Sequence, residues 1–538
     1  MPPKTPDDPE TDPAHSGRAE TTVDRADAAA LDAASREAAA IEEACTAETI
    51  TREADIEAPP SEITRFGRTF ESFRYRDFSL FWSGALVSNV GTWMQNTAIG
   101  LVVAYGLNQG AFALGLVNFL SGIPVLFLAL PGGALADRVD RRKLIIVFQW
   151  VLLVQAAALG YLAMNGQLTS ITGPDAHAHM IRALLWLGGL GVIAGVCSAL
   201  TFPAWQALLP NMVPRKTLLN AIALNSAQFQ SSRMLGPLVA AAFVAMLNPN
   251  NIPGLRGSTY AWIFYINAVS FLFVIAALWA IKPGRYGKAV GGEDGRKGAA
   301  GPASGPPAGG SAAAQTARAR EGSWKMLLGG VDYARRHRNI AVLLSSTAFM
   351  TIFGMPYMML LPVIVKDALQ QGEIQVTVLM SANGLGAVVG ALGVASFSPK
   401  VRRERVMPLF LLFFAVMLAA FGLSAVFIPP SIAYWVCIGL SALAGAGLMA
   451  TNSLTNTSIQ AGVPDYLRGR VMALFVMCFM GIMPVSSIVF GSLGQVIGSA
   501  NAVTLGAVIL IGWALALVFM PKLLAPTPDE DAAAPDVA

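Results

Sequence analysis

Residues 406–427 read VMPLFLLFFAVMLAAFGLSAVF, twenty-two positions without a charged side chain. About 20 apolar residues in a helix cross the roughly 30 Å hydrocarbon core of a bilayer, and no backbone polar group can go unpaired there. The stretch therefore predicts a spanning helix. On its N-terminal side stand Lys400, Arg402, Arg403 and Arg405, and on its C-terminal side the turn-forming Ile428–Pro429–Pro430. Moving outward, runs of the same kind recur at 431–455, 471–494 and 499–520, and, toward the N-terminus, at 375–398 and 340–363. A further six lie at 77–104, 110–135, 143–164, 182–206, 220–247 and 259–281. The expected fold is all-α and integral to the membrane, with twelve transmembrane helices in two six-helix, pseudo-symmetric bundles.

Composition agrees. Of 538 residues, 54% are hydrophobic and 13% charged, against about 25% charged in soluble domains. The charge is sorted along the chain: residues 1–60 hold 15 acidic and 5 basic side chains, residues 61–528 hold 14 and 32. Residues 1–70 read as a disordered acidic tail, because a segment so poor in large apolar groups gains too little burial to offset its ordering entropy. Residues 71–282 and 339–521 are the two bundles. Between them, 283–338 begin as a Gly, Ala and Pro linker and end in WKMLLGGVDYARRHRNI, which reads either as an amphipathic helix on the membrane surface or as a loop. Residues 522–538 are a second disordered tail.

Lys and Arg concentrate in cytoplasmic loops. With both termini inside, Arg138, Arg141, Arg142, Lys143, Arg215, Lys216, the linker, Lys400, Arg402, Arg403, Arg405, Arg468 and Arg470 all fall on the cytoplasmic face, and only Arg182, Arg256 and Lys366 fall outside. The halves also echo each other. GGALADRVDRRK after the second span answers GVASFSPKVRRER after the eighth, and MVPRKTLLNAIAL answers GVPDYLRGRVMAL. Internal duplication with a site between the repeats is the architecture of carriers that rock one bundle against the other.

Gly133 to Arg142 read GALADRVDRR. Physically, Gly133 permits close helix approach, and Asp137 at the end of the second span can accept bonds from a facing helix N-terminus and pair with Arg138 or Arg141. The stretch resembles the signature loop between helices 2 and 3 of the major facilitator superfamily, departing from it at Asp140, where the family usually has Gly. FPAWQALLPNMVPRKTLLNAIALNSAQFQSSRMLGP and QAGVPDYLRGRVMAL are similar to the branch that includes the enterobactin exporters. The resemblance implies a secondary transporter and not an enzyme, coupled to protons as an antiporter. It implies a gate made by Gly133, Asp137, Arg138 and Arg141 with Arg468 and Arg470 at the start of helix 11.

Charge inside a membrane marks function by default. Arg233 is the one charge placed within a span; Asn225 and Gln228 share its helix, and Gly236–Pro237 follow it as a packing and kink element. It meets an anionic substrate group, or it snorkels and bonds to carbonyls and amides. Trp93 and Gln95 in the first span, Tyr357 in the seventh and Asn452 in the tenth are further cavity candidates, each also readable as an interhelical contact. The acidic residues of 61–528 all map in or beside loops, so no mid-membrane carboxylate stands out as a proton carrier.

No GxxxxGK[ST] phosphate loop occurs, which excludes a built-in ATP motor. The four Cys are isolated, and His177, His179 and Asp175 read as a solvated loop, so no cofactor and no metal is expected. Expected partners are a small-molecule substrate and the lipid bilayer, without nucleic acid, in a carrier functional as a monomer in a bacterial-type cytoplasmic (inner) membrane. The leading function is efflux of siderophores or drugs. A lysophospholipid translocator of the same superfamily is the second, and a non-transporting membrane scaffold the third.

Overall fold

The computed structural model describes residues 70–281 apart from 249 and 251, then 323–395 and 403–524. The acidic tail, the linker over 282–322, Lys400, Arg402 and the C-terminal tail lie outside the described residues, among which there is no β-strand. The first six helices are α1 (Arg76–Leu101, extended by the turn Val102–Gly106), α2 (Ala111–Arg138), α3 (Arg141–Met164), α4 (Ala176–Leu208), α5 (Leu218–Leu247) and α6 (Arg256–Ala280). The second six are α7 (Arg338–Asp367), α8 (Glu373–Ala395), α9 (Arg403–Phe427), α10 (Pro430–Gly462), α11 (Asp465–Val476, Met477–Gly481 and Met483–Ile497) and α12 (Ser499–Phe519). Eleven are long and apolar enough to cross a bilayer. The twelfth, α1, is more polar, but Thr92 and Thr97 return their hydroxyls to the Ser88 and Trp93 carbonyls at 2.9 Å, which satisfies them inside the helix.

Helix pairing repeats between the halves. In the first, α2 packs on α4, α3 on α4 and α6, and α1 on α5 and α6; in the second, α8 packs on α10, α9 on α10 and α12, and α7 on α11 and α12. Adding six to each helix number converts one set into the other. Two seams join the halves, α2 with α11 and α5 with α8. Glycines make both. A Cβ on Gly384 would stand 2.6 Å from the Met234 Cα, and one on Gly115 would stand 2.9 Å from the Gly491 Cα. Gly122, which lies against the Pro484 ring, and Gly384 occupy equivalent heights, each eleven residues past the first residue of its helix (111 to 122, 373 to 384). Backbones this close are how helices associate in lipid, where apolar burial gives no drive.

Among the described residues are three π-helical turns: Val102–Gly106 ends α1, and Met350–Gly354 and Met477–Gly481 interrupt α7 and α11. In α7 the turn precedes Pro356, which has no N–H to give the Ile352 carbonyl four residues back. The Ser486 hydroxyl of α11 donates to that carbonyl instead, at 2.6 Å. A further helix, Ser323–Arg336, precedes α7 and buries Gly330, Tyr333 and Ala334 while exposing Asp332, Arg335 and Arg336. That buried side packs on α11, the Arg470 carbonyl lying 3.0 Å from where a Gly330 Cβ would be.

Asp140 departs from glycine for a reason other than backbone freedom, since its φ is −60°. It is the N-cap of α3, accepting the Arg142 and Lys143 amides at 2.9 and 3.2 Å. Asp140→Ala is expected to cost about 1 kcal/mol, read as a lower thermal midpoint of the purified protein, while Asp140→Asn stays close to the parent.

Candidate functional site

The basic ends of the helices gather on one face. There Arg141 reaches the carbonyls of Ala136 and Ala207, both at 3.3 Å, tying the ends of α2 and α4, and Arg142 caps α6 through the Trp279 carbonyl at 2.9 Å. Cations at helix C-termini also meet the negative end of the helix dipole. Arg138 and Arg468 are exposed, and Arg470 lies against the Ser323–Arg336 helix at Gly329. The Asp137 side chain lies outside the described residues. One expectation is corrected: a Cβ on Gly133 would meet nothing within 4 Å, whereas one on Gly132 would stand 2.5 Å from the Ala199 carbonyl oxygen, so Gly132 is the glycine that seats α2 on α4.

At the middle of the bundle, side chains from both halves converge on Arg233. It is 6% exposed, and its Nη2 donates to the Asn383 Oδ1 of α8 at 3.2 Å and contacts the Met358 sulfur of α7. The guanidinium carbon stands 5.8 Å from the centroid of the Trp93 ring of α1, a cation–π distance. Asn383 is held in turn by the Tyr357 hydroxyl and by the Ser441 carbonyl of α10 at 3.0 Å. Gly236 lets α5 come down on α1 at this level, its missing Cβ lying 2.8 Å from the Met94 nitrogen. Among the described residues no carboxylate pairs with Arg233, and its Nε has no acceptor. A charge at the centre of a membrane helix costs at least about 2.5–3.5 kcal/mol on insertion scales.

Of the cavity candidates, Arg233, Trp93 and Tyr357 meet here. Gln95 does not. It binds Gln155 of α3 at 3.3 Å and Asn267 of α6 at 2.8 Å, and Asn267 accepts from Ser270 at 3.0 Å, a network wholly within the first bundle. Asn225 stands eight residues toward the basic face from Arg233, roughly 12 Å along the helix. Gln228 is buried with its Nε2 unpartnered, and the Asn452 Oδ1 is buried without a partner eleven residues from Ser441, roughly 16 Å along α10. Asn383 was hidden in the sequence within an apolar run, and Met358 reads there as one of several helix-packing methionines.

A second cluster, also invisible in the sequence, closes the opposite face. Arg256 Nε lies 2.8 Å from Glu373 Oε1, with Glu373 2% exposed, and Arg256 Nη1 donates to the Tyr105 carbonyl at 3.2 Å. Tyr105 donates its hydroxyl to the Gln371 carbonyl at 2.8 Å, and Lys366 donates to the Asn108 Oδ1 at 2.5 Å. Each of these bonds except that from Arg256 to Tyr105 joins one half to the other. Among the described residues, the hydrogen bonds from Arg233 to Asn383, Ser487 to Gly115, Tyr105 to Gln371 and Lys366 to Asn108, with the Arg256–Glu373 pair, join the halves between mid-bundle and this face. His179 is spent structurally, its Nε2 3.0 Å from the Thr169 carbonyl.

Comparison with known proteins gives a consistent picture. Residues 81–485 match the family model described as Major Facilitator Superfamily. The chain is 21% identical over 444 residues to the staphyloferrin A transporter of Staphylococcus aureus (strain NCTC 8325 / PS 47), covering 82% of this chain and 96% of that one. Among solved structures it superposes on a D-xylose-proton symporter with a TM-score of 0.60 at 14% identity, covering 83% and 98% of the two chains. It superposes on a bacterial homologue of the iron transporter ferroportin, in an inward-facing state, with a TM-score of 0.58 at 16% identity, covering 82% and 98%.

Proposed function

This chain belongs to the Major Facilitator Superfamily, a family of multi-pass membrane transporters, and on that premise we propose that it is a proton-driven exporter of small amphipathic compounds, siderophores or drugs, working by alternating access. The single observation that carries this reading is the polar cluster at mid-bundle, where Arg233 and Trp93 of one half meet Tyr357, Met358 and Asn383 of the other. Groups drawn from two bodies form one site that each rocking motion remakes, and sites at such a repeat interface are where carriers hold their cargo. The basic face is the cytoplasmic one, by the distribution of Lys and Arg. The closed opposite face supports a carrier waiting for cargo from the cytoplasm. The siderophore reading is supported by likeness to a protein named for staphyloferrin A.

The test is accumulation of a fluorescent drug panel and a catechol siderophore in cells overproducing the chain, with and without an uncoupler. Lower accumulation that the uncoupler abolishes is the expected result. Unchanged accumulation of every compound would overturn export of such compounds and favour lysolipid translocation, with vesicle lipid exchange as its readout.

We further infer that Asp137, with Arg138, Arg141, Arg468 and Arg470, forms the cytoplasmic gate. Asp137→Asn is expected to lower uncoupler-sensitive export at least tenfold while the amount of protein in the membrane stays constant. Export at the parental rate would remove Asp137 from the gate.

A further inference from the structure

We propose that the cargo carries an anionic oxygen group, a carboxylate in the first instance, and that Arg233 is the group that binds it. This deepens the transport reading above and rests on it for the word cargo, but the binding claim stands on its own measurement.

The argument begins with charge balance. Arg233 is more than nine-tenths buried, and its guanidinium offers five N–H donors and no acceptor. Its polar partners are one amide oxygen, Asn383 Oδ1, and one thioether, Met358. Thioether sulfur is a weak acceptor, and neither group carries charge. Tyr357 is the titratable side chain that faces it, and in its ordinary phenol form it too is neutral. Glu373, a buried carboxylate, is already engaged by Arg256. Among the described residues the cluster therefore holds a whole positive charge with no negative one, in a place where desolvation makes the imbalance costly.

A carboxylate corrects that imbalance. It accepts two parallel bonds from a guanidinium fork, and such bonds are roughly twice as strong as neutral ones. The Nε edge lacks an acceptor, and Nη2 is covered by Met358, whose flexible side chain withdraws at little cost when a stronger acceptor competes. Trp93 on one side of the cation supplies an apolar wall, so the preferred ligand pairs its anion with an aromatic or aliphatic body. One turn nearer the basic face on the same helix, Phe229 is 40% exposed and rests 6.1 Å from the Trp93 ring.

A purely structural role for Arg233, tying the halves through Asn383, makes a different demand. It would make every Arg233 variant less stable without conferring preference for ligand charge. The experiment therefore reads preference. Calorimetric titration of the purified full-length chain in detergent with 2-naphthoate and with uncharged 2-naphthamide is expected to show at least tenfold tighter binding of the acid. Arg233→Gln should erase that ratio and Arg233→Lys restore part of it, with all variants first shown to elute as folded, monodisperse protein. Should Arg233→Gln fail to fold, Arg233→Lys carries the test: loss of the bidentate fork should lower the ratio, and an undiminished ratio in folded Arg233→Lys would overturn the proposal. Equal binding of acid and amide to the parent, or an undiminished ratio in folded Arg233→Gln, would overturn the proposal. Titration with sodium chloride separates the two sources of anion: displacement of naphthoate by millimolar chloride as readily as by millimolar acetate would assign the site to an inorganic counter-ion and overturn the cargo claim. Because binding is measured without transport, a chain that binds acids but fails to export them would leave this inference standing and sink only the export reading.

Discussion

Glu373→Gln opens the opposite face. The substitution keeps the side chain's size but replaces the carboxylate that faces the Arg256 cation by a neutral amide, and removing one partner of a buried ion pair costs about 3–5 kcal/mol. Arg256 is partly exposed, with 19% of its side chain accessible, so the lower end applies, and about 3 kcal/mol still moves a two-state equilibrium more than 100-fold. Spin labels at Gln109 and Asn501, one on each half near that face, are expected to show a longer and broader distance in Glu373→Gln than in the parent. Arg256→Gln with Glu373→Gln, which removes both charges of the pair, should recover most of the short distance. An unchanged distance in the single variant would mean that the pair does not hold this face shut.

The second large effect belongs to Gly384. A methyl group there has to displace the Met234 backbone, whose Cα stands 2.6 Å from the added carbon, and overpacking of this kind costs typically 1–3 kcal/mol. Gly384→Ala is expected to cut transport at least tenfold and to lower the melting temperature; Gly384→Val should abolish transport. The control lies nine residues on in the same helix. Gly393→Ala meets nothing within 4 Å and replaces the poorer helix former by the better, so transport should hold and the melting temperature stay level or rise. Equal losses at both positions would show that flexibility of α8, and not its seam with α5, is what the glycines provide.

The spans were legible because lipid imposes a simple demand, about 20 apolar residues per crossing, and the chain meets it repeatedly. Even α1, the least apolar, was legible from position, since its hydroxyls satisfy themselves along the helix. Arg233 was legible as a lone charge within a span. What escaped was anything set by rotation or by neighbours distant in sequence. Gly132 and Gly133 are adjacent, and about 100° of helix phase decides which one touches α4. Gln95 is as polar as Trp93 is amphipathic, and two residues of phase send one into the bundle and the other to the seam. Glu373 reads in the sequence as a loop-edge carboxylate; it is buried because Tyr105 and Arg256, more than a hundred residues away, fold over it. No local pattern records that.

The glycine seams have a mechanical consequence. Gly384 on Met234 and Gly115 on Gly491 bring main chain against main chain at those two points. Interdigitated cores resist sliding because rotamers must unlock before anything moves; the glycine contact points have no teeth of their own, and behave there as plain bearings. Resistance to sliding is lower at such points than in an interdigitated core, so the relative position of the halves is held by the directional bonds that cross between them, Arg233 to Asn383 in mid-bundle and Arg256–Glu373, Tyr105–Gln371 and Lys366–Asn108 toward the rim. A carrier built this way can be retuned at its rim, one polar group at a time, without recutting the bearing.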